Sequence, residues 1–154
     1  TTLRVQNLTL MGWVRADTNL SETPGFAGNV NWSTGQNGYG IGGTAANTIG
    51  VIVGDAAAYN LATVAHGVGT SWFLCTAVIS ASFITVYQNI TAGTPVARTK
   101  TTTWANPFRL GIDPAGTLYD FDGGLILWRV LSGVELTANQ IASIYNQEHH
   151  LFPS

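Results

Sequence analysis

The sequence predicts an all-β fold: an antiparallel β-sandwich of the jelly-roll kind with one short C-terminal helix. Three observations predict it. Most apolar segments are short, rich in β-branched residues and bounded by Gly, Asn, Asp or Pro, as strands are. Only one stretch, late in the chain, combines helical periodicity with a start signal. The 154 residues suit one domain, 1–154, as a module within a longer chain. A chain of this size can bury roughly 70% of its unfolded surface without staples.

The elements follow in order. LRVQNLTLMGWVR (Leu3 to Arg15) alternates, with Leu8, Leu10 and Gly12 on one face and Thr9, Met11 and Trp13 on the other. Pro24 to Gly43 reads as a glycine-rich loop holding a short strand around Tyr39 and Ile41. TIGVIVGD (Thr48 to Asp55) and LATVA (Leu61 to Ala65) read as strands. SWFLCTAVIS and SFITVYQN, separated by Ala81, predict a tight hairpin in which Ile84 and Val86 oppose Phe83, Thr85 and Tyr87. TAGTPVARTKTTTWANP predicts an irregular or edge strand, because Pro95 and Pro107 cannot donate to a central ladder. FRLGI (Phe108 to Ile112) is a strand, and LILWRVL (Leu125 to Leu131) predicts a strand buried on both faces.

The helix is LTANQIASIYNQEHH. Thr137 and Gln140 make a T-x-x-Q capping box, and Leu136 and Ile141 occupy the staple positions. Ile141, Ile144 and Tyr145 form one apolar stripe.

Charge excludes several functions. Charged residues make up 9% of the chain, against about 25% in an average globular protein. The net charge is −2, and the six Lys and Arg residues form no run. Phosphate backbones and anionic membranes both need clustered cations, so neither nucleic acid nor membrane is an expected partner. No apolar stretch reaches the ~20 residues of a membrane span. The lone Cys75 sits in an apolar run and reads as core.

The order of these pieces resembles the laminin G-like, concanavalin A-like lectin–glucanase superfamily. LTLMGWVRAD is similar to its opening strand, GYGIGG and TIGVIVGD to the next pair, and SWFLCTAVISASFITVYQNITAG to its tyrosine-asparagine hairpin. FRLGID and FDGGLILWRVLSGVELTANQIASIYN are similar to its closing strands and helix. Two departures stand out. No glycine follows Asn89, so the hairpin's far turn must differ from the family's usual Asn-Gly. Only Thr1 to Gln6 precede the opening strand, so its edge is expected to pair with a neighbouring domain or a second copy.

Asp120 and Asp122 share a strand face, roughly 6.6 Å apart. That spacing is within reach of a glycosidase carboxylate pair. Glucanases of this fold, however, carry an E-x-D-x-x-E strand. Here the window is Asp120-Phe121-Asp122-Gly123-Gly124-Leu125, without glutamate and on a different element. His66 lies in a loop, and no G-x-S-x-G elbow exists. No catalytic residue is therefore assigned.

No cofactor is read from the residues themselves. The resemblance implies calcium as the one metal to consider, at rim positions Asp55, Asn89, Asp113 and Asp122. Trp32, Tyr39, Tyr59 and Trp104 lie in or beside loops among Asn, Gln and Thr, where aromatic faces stack on sugars. The expected function is a non-catalytic module binding a glycan or a protein surface, on an extracellular or virion-surface protein. The alternative is a structural module such as a phage decoration or tail-fibre domain or a filament subunit. A glycoside hydrolase comes third.

Overall fold

Strand β1 (Leu8–Ala16) organises the architecture, because its two faces are buried against different partners. In the computed structural model, which describes residues 6–17, 25–30, 37–45, 47–67, 69–102, 106–111 and 121–152, two antiparallel sheets pack face to face. Leu8, Leu10, Val14 and Ala16 point into the interlayer core, and Met11 and Trp13 point outward beneath the helix. The predicted alternation of β1 holds on both faces.

The remaining strands are β2 (Gly25–Gly28), β3 (Gly38–Ala45), β4 (Thr48–Gly54), β5 (Tyr59–Ala65), β6 (Phe73–Ile79) and β7 (Phe83–Gln88). They are followed by β8 (Thr91–Ala92), β9 (Val96–Ala97), β10 (Arg109–Leu110) and β11 (Gly123–Ser132). One sheet runs β11-β1-β6-β7, with β8 and β9 both lying along the far side of β7. The other runs β10-β2-β3-β4-β5. Pro95 falls in the break between β8 and β9, as its missing N–H requires on an edge. The β6–β7 hairpin turns through Ser80, whose N–H donates to Phe83 O at 2.9 Å. Ile84 and Val86 are buried inward.

Two readings are corrected. The Pro24 to Gly43 stretch contains β2, a four-residue strand whose flanking glycines concealed it and whose Phe26 and Ala27 are core. LILWRVL belongs to β11, which among the described residues is an edge strand paired only with β1. It is not buried on both faces: Ile126 and Leu127 are 40% and 45% exposed.

The reason is a bulge. Met11 faces Arg129 and Trp13 faces Ile126, so Gly12 stands opposite both Leu127 and Trp128. Leu127 takes φ 52° to absorb the extra residue. Inward-facing positions therefore shift from odd to even numbers, and Leu125, Trp128 and Val130 all reach the core. Gly12 is required there, because a Cβ on it would overlap the Trp128 ring.

Helix α1 (Ala138–Glu148) forms as predicted. Thr137 Oγ1 accepts from Gln140 N at 3.3 Å, and Gln140 Oε1 accepts from Thr137 N at 2.9 Å. Ile141 is fully buried, and Leu136, Ile144 and Tyr145 pack with it on Met11, Trp13 and Leu74. Thr9 fixes the approach to the helix: its hydroxyl donates to Val134 O at 2.8 Å and accepts from Leu136 N at 3.1 Å. No helix among the described residues is long and apolar enough to cross a membrane.

Candidate functional site

At one rim of the sandwich the end of β5, the start of β6 and the end of β7 leave a cleft of about 180 Å³. His66, Gly67, Gly69, Ser71, Trp72, Phe73, Gln88 and Asn89 line it. His66, Gln88 and Asn89 are held in place by their own bonds.

His66 follows β5 and is anchored by its N–H to Asn47 O at 2.7 Å. Its ring lies 4.4 Å from that of Phe73 and is largely buried. Gln88 Nε2 stands 2.9 Å from His66 Nδ1. An amide nitrogen only donates, so Nδ1 accepts and the ring proton sits on Nε2. Burial lowers the pKa of His66, which keeps the imidazole neutral near pH 7.

Asn89 explains the family departure at the turn. It takes the left-handed conformation itself, φ 54°, and Ile90 after it does not, so no glycine is needed where an Asn-Gly turn has positive φ at both residues. Its Oδ1 accepts from Leu74 N at 2.9 Å and its N–H donates to Leu74 O at 2.7 Å. Its Nδ2 has no partner among the described residues.

Trp72 forms the aromatic wall. Its ring packs 5.4 Å from Phe152, with the Arg15 guanidinium 5.4 Å from the ring centroid. Gly124 of the D-G-G segment makes the space: a Cβ there would stand 2.5 Å from Trp72 Cη2. Asp122 precedes that segment, is exposed, and accepts at its carbonyl from Asp17 N at 3.1 Å.

The sequence candidates scatter. Asn89 and Asp122 lie at or beside this rim. Asp55 and Tyr59 lie at the opposite one, at the other end of β5. Tyr59 is 46% exposed, as expected. Tyr39 is not a surface platform: it is 1% exposed in the interlayer core, and burial pushes its phenol up to about 12. Trp32, Trp104, Asp113 and Asp120 lie outside the described residues. His66 was weighed from sequence only as a catalytic residue, Trp72 only as a core or strand-face residue, and Gln88 not at all, because the ends of β5 and β7 and the start of β6 bring them together only in the fold.

Calcium takes six to eight oxygen ligands. Asp55 Oδ1 accepts from Ala57 N and Ala58 N at 3.0 and 2.8 Å, and Oδ2 pairs with Lys100 at 3.3 Å. These backbone bonds, then Lys100, hold Asp55 below the usual carboxylate range. Asn89 Oδ1 is engaged by Leu74. Among the described residues no three His, Cys, Asp or Glu side chains gather as a metal group.

No protein-family model and no curated protein sequence matches the chain. Solved structures do. A sialidase CBM40 from Ruminococcus gnavus, bound to α2,3-sialyllactose, matches with TM-score 0.73 at 11% identity, covering 93% of this chain and 84% of that one. Domain 4 of AbnA, an extracellular GH43 arabinanase from Geobacillus stearothermophilus, in complex with arabinotriose, matches with TM-score 0.71 at 15% identity, covering 92% and 67%. The fold is concanavalin A-like. The binding domain of botulinum neurotoxin DC in complex with SialylT shares it at TM-score 0.65 and 12% identity, with 94% of this chain spanning 36% of that one. At such identities the concanavalin A-like likeness is one of architecture, so the cleft must be judged on its own chemistry.

Proposed function

We propose that the chain is a non-catalytic recognition module that binds the end of a carbohydrate chain at the rim cleft. The observation that carries this is the pairing of the Trp72 wall with neutral polar groups fixed by their own bonds on His66, Gln88 and Asn89, beside the Ser71 hydroxyl. A sugar presents C–H faces to stack and hydroxyls to bond, and such a lining matches both. The cleft is smaller than the ~300–1,000 Å³ of sites that enclose a ligand, which suits one terminal sugar ring. No carboxylate lines it, whereas most glycoside hydrolases use a pair. Solved structures of the same fold hold sialyllactose and arabinotriose, which supports the reading. An extracellular or virion-surface setting goes with it.

A glycan array with the purified chain, run with calcium and with chelator, tests the proposal. Binding that is lost in Gln88→Ala supports it. Absence of binding to every glycan at high protein concentration overturns it. The calcium arm decides whether a metal takes part.

One observation favours the assembly reading. Ile126 and Leu127 are exposed on edge strand β11, and an apolar edge invites pairing. Light scattering across a concentration series decides it, since a strict monomer argues against assembly.

A further inference from the structure

The opposite rim holds a second, larger groove of about 310 Å³, lined by Gln6, Asn7, Ala81, Arg98, Thr99, Lys100 and Thr101. It lies at the start of β7 and is separated from the cleft by the length of that strand.

Its cations are unequal. Lys100 is matched by Asp55 at 3.3 Å. Arg98 has no carboxylate partner among the described residues. Its guanidinium is pinned instead by neutral acceptors: the Gln6 carbonyl, Gln6 Oε1, Ser80 O at 2.8 Å and Lys100 O at 3.1 Å. These four bonds use four of its five N–H donors and leave its charge uncancelled. The group is also partly desolvated, and burial lowers its pKa. Orientation is therefore set before any ligand arrives.

The segment carrying Lys100 is equally fixed. Asn60 Oδ1, on β5, accepts from Thr99 N at 2.9 Å and Lys100 N at 3.0 Å. That joins the two sheets at this edge. Lys100 gives Asp55 one of its three N–H donors and keeps two. The groove thus offers three cationic N–H groups and one net positive charge, among hydroxyls and side-chain amides.

We propose that this groove is a second ligand site, taking the carboxylate of an acidic sugar. One net charge matches a monoanion; a phosphate dianion or a polyanion needs several clustered cations. The threonines and amides match the hydroxyls that accompany a sugar carboxylate.

The experiment is an NMR titration of the full chain with glucuronate, N-acetylneuraminate and, as neutral control, glucose. Concentrations run to about 20 mM, enough to detect a millimolar Kd. The Arg98 Nε–H and the Thr99 to Thr101 amides are expected to shift with at least one acid and not with glucose. The two acids identify the class of sugar. Lys100→Gln removes a charge but keeps the backbone carbonyl that holds Arg98, so the fold survives. It should weaken acid binding about fivefold. Shifts that are absent with both acids, equal with glucose, or unchanged in Lys100→Gln overturn the proposal. The rim cleft reports separately through His66, Gln88 and Asn89, so either site can fail alone.

Discussion

The indole Nε1 of Trp13 donates to Glu148 Oε2 at 2.8 Å, joining the first strand to the last turn of the helix across 135 positions of sequence. Glu148 Oε1 takes Arg129 from β11. One carboxylate thus ties together β1, β11 and α1, beneath rings from Tyr145 and Phe152 that stack on Trp13 at 5.8 and 4.3 Å. Glu148→Ala leaves the buried Trp13 N–H and the Arg129 charge without their acceptor. A stability loss of about 1–3 kcal/mol is expected in urea unfolding. Glu148→Gln keeps one acceptor and should lose less. Negligible losses in both would mean that packing of the rings, not the hydrogen bond, holds the helix.

The glycines at two close approaches make different predictions. At Gly12 a Cβ meets the body of the Trp128 indole inside the core. Gly12→Ala should cost about 1–3 kcal/mol by overpacking. At Gly124 a Cβ meets only the far edge of the half-exposed Trp72. Gly124→Ala should cost less stability but displace the cleft wall, weakening glycan binding. Gly67→Ala, with nothing within 4 Å of its Cβ, is the neutral control for stability alone, since Gly67 lines the cleft.

What was legible in the sequence was whatever repeats or closes locally. The alternation of β1, the Ser80 hairpin turn and the Thr137–Gln140 box each need fewer than about ten residues to read. The bulge at Leu127 was not legible, because it depends on which strand β11 meets and on Gly12 in that strand. It turned an apparently continuous core strand into a half-exposed edge. Tyr39 misled for a related reason: the short strand around it was read correctly, but its glycine-rich setting suggested a ring at the surface, whereas within β3 it faces the interlayer core. The cleft was invisible because His66 and Gln88 are 22 residues apart and meet only through sheet packing.

Turn β4–β5 stores strain at Ala56, an exposed residue at φ 77°. The left-handed region costs a non-glycine residue roughly 1–2 kcal/mol, of which glycine's extra unfolded-state entropy cancels about half. Ala56→Gly should therefore raise stability by a few tenths to about 1 kcal/mol. Differential scanning calorimetry would show it as a small rise in Tm; a fall would mean that the turn is not strained.

Acidification should act through His66. Its folded pKa lies below the ordinary 6.5, so between that value and the folded pKa the unfolded chain binds a proton that the folded one does not. Stability is whole above pH 6.5 and declines as pH falls below it. Protonation of the folded protein also removes the Nδ1 acceptor of Gln88, so glycan affinity should decline only as pH falls through the lowered folded pKa, below the onset of the stability loss. Tm measured from pH 8 to pH 5, in wild type and His66→Gln, checks the first part. A His66→Gln variant with the same pH slope would assign the loss to other groups.

Asn89 combines two roles that substitution can separate. It supplies the left-handed turn and the Oδ1 that receives Leu74 N. Asn89→Gly keeps the conformation and loses the hydrogen bond, at about 0.5–1.5 kcal/mol. Asn89→Ala loses the bond and adds roughly 1–2 kcal/mol of left-handed strain. The ordering wild type, then Gly, then Ala is expected in chemical denaturation. Both variants also remove the free Nδ2 from the cleft, so glycan binding should fall alike in the two despite their different stabilities. If binding instead follows stability, Asn89 shapes the turn without touching the ligand.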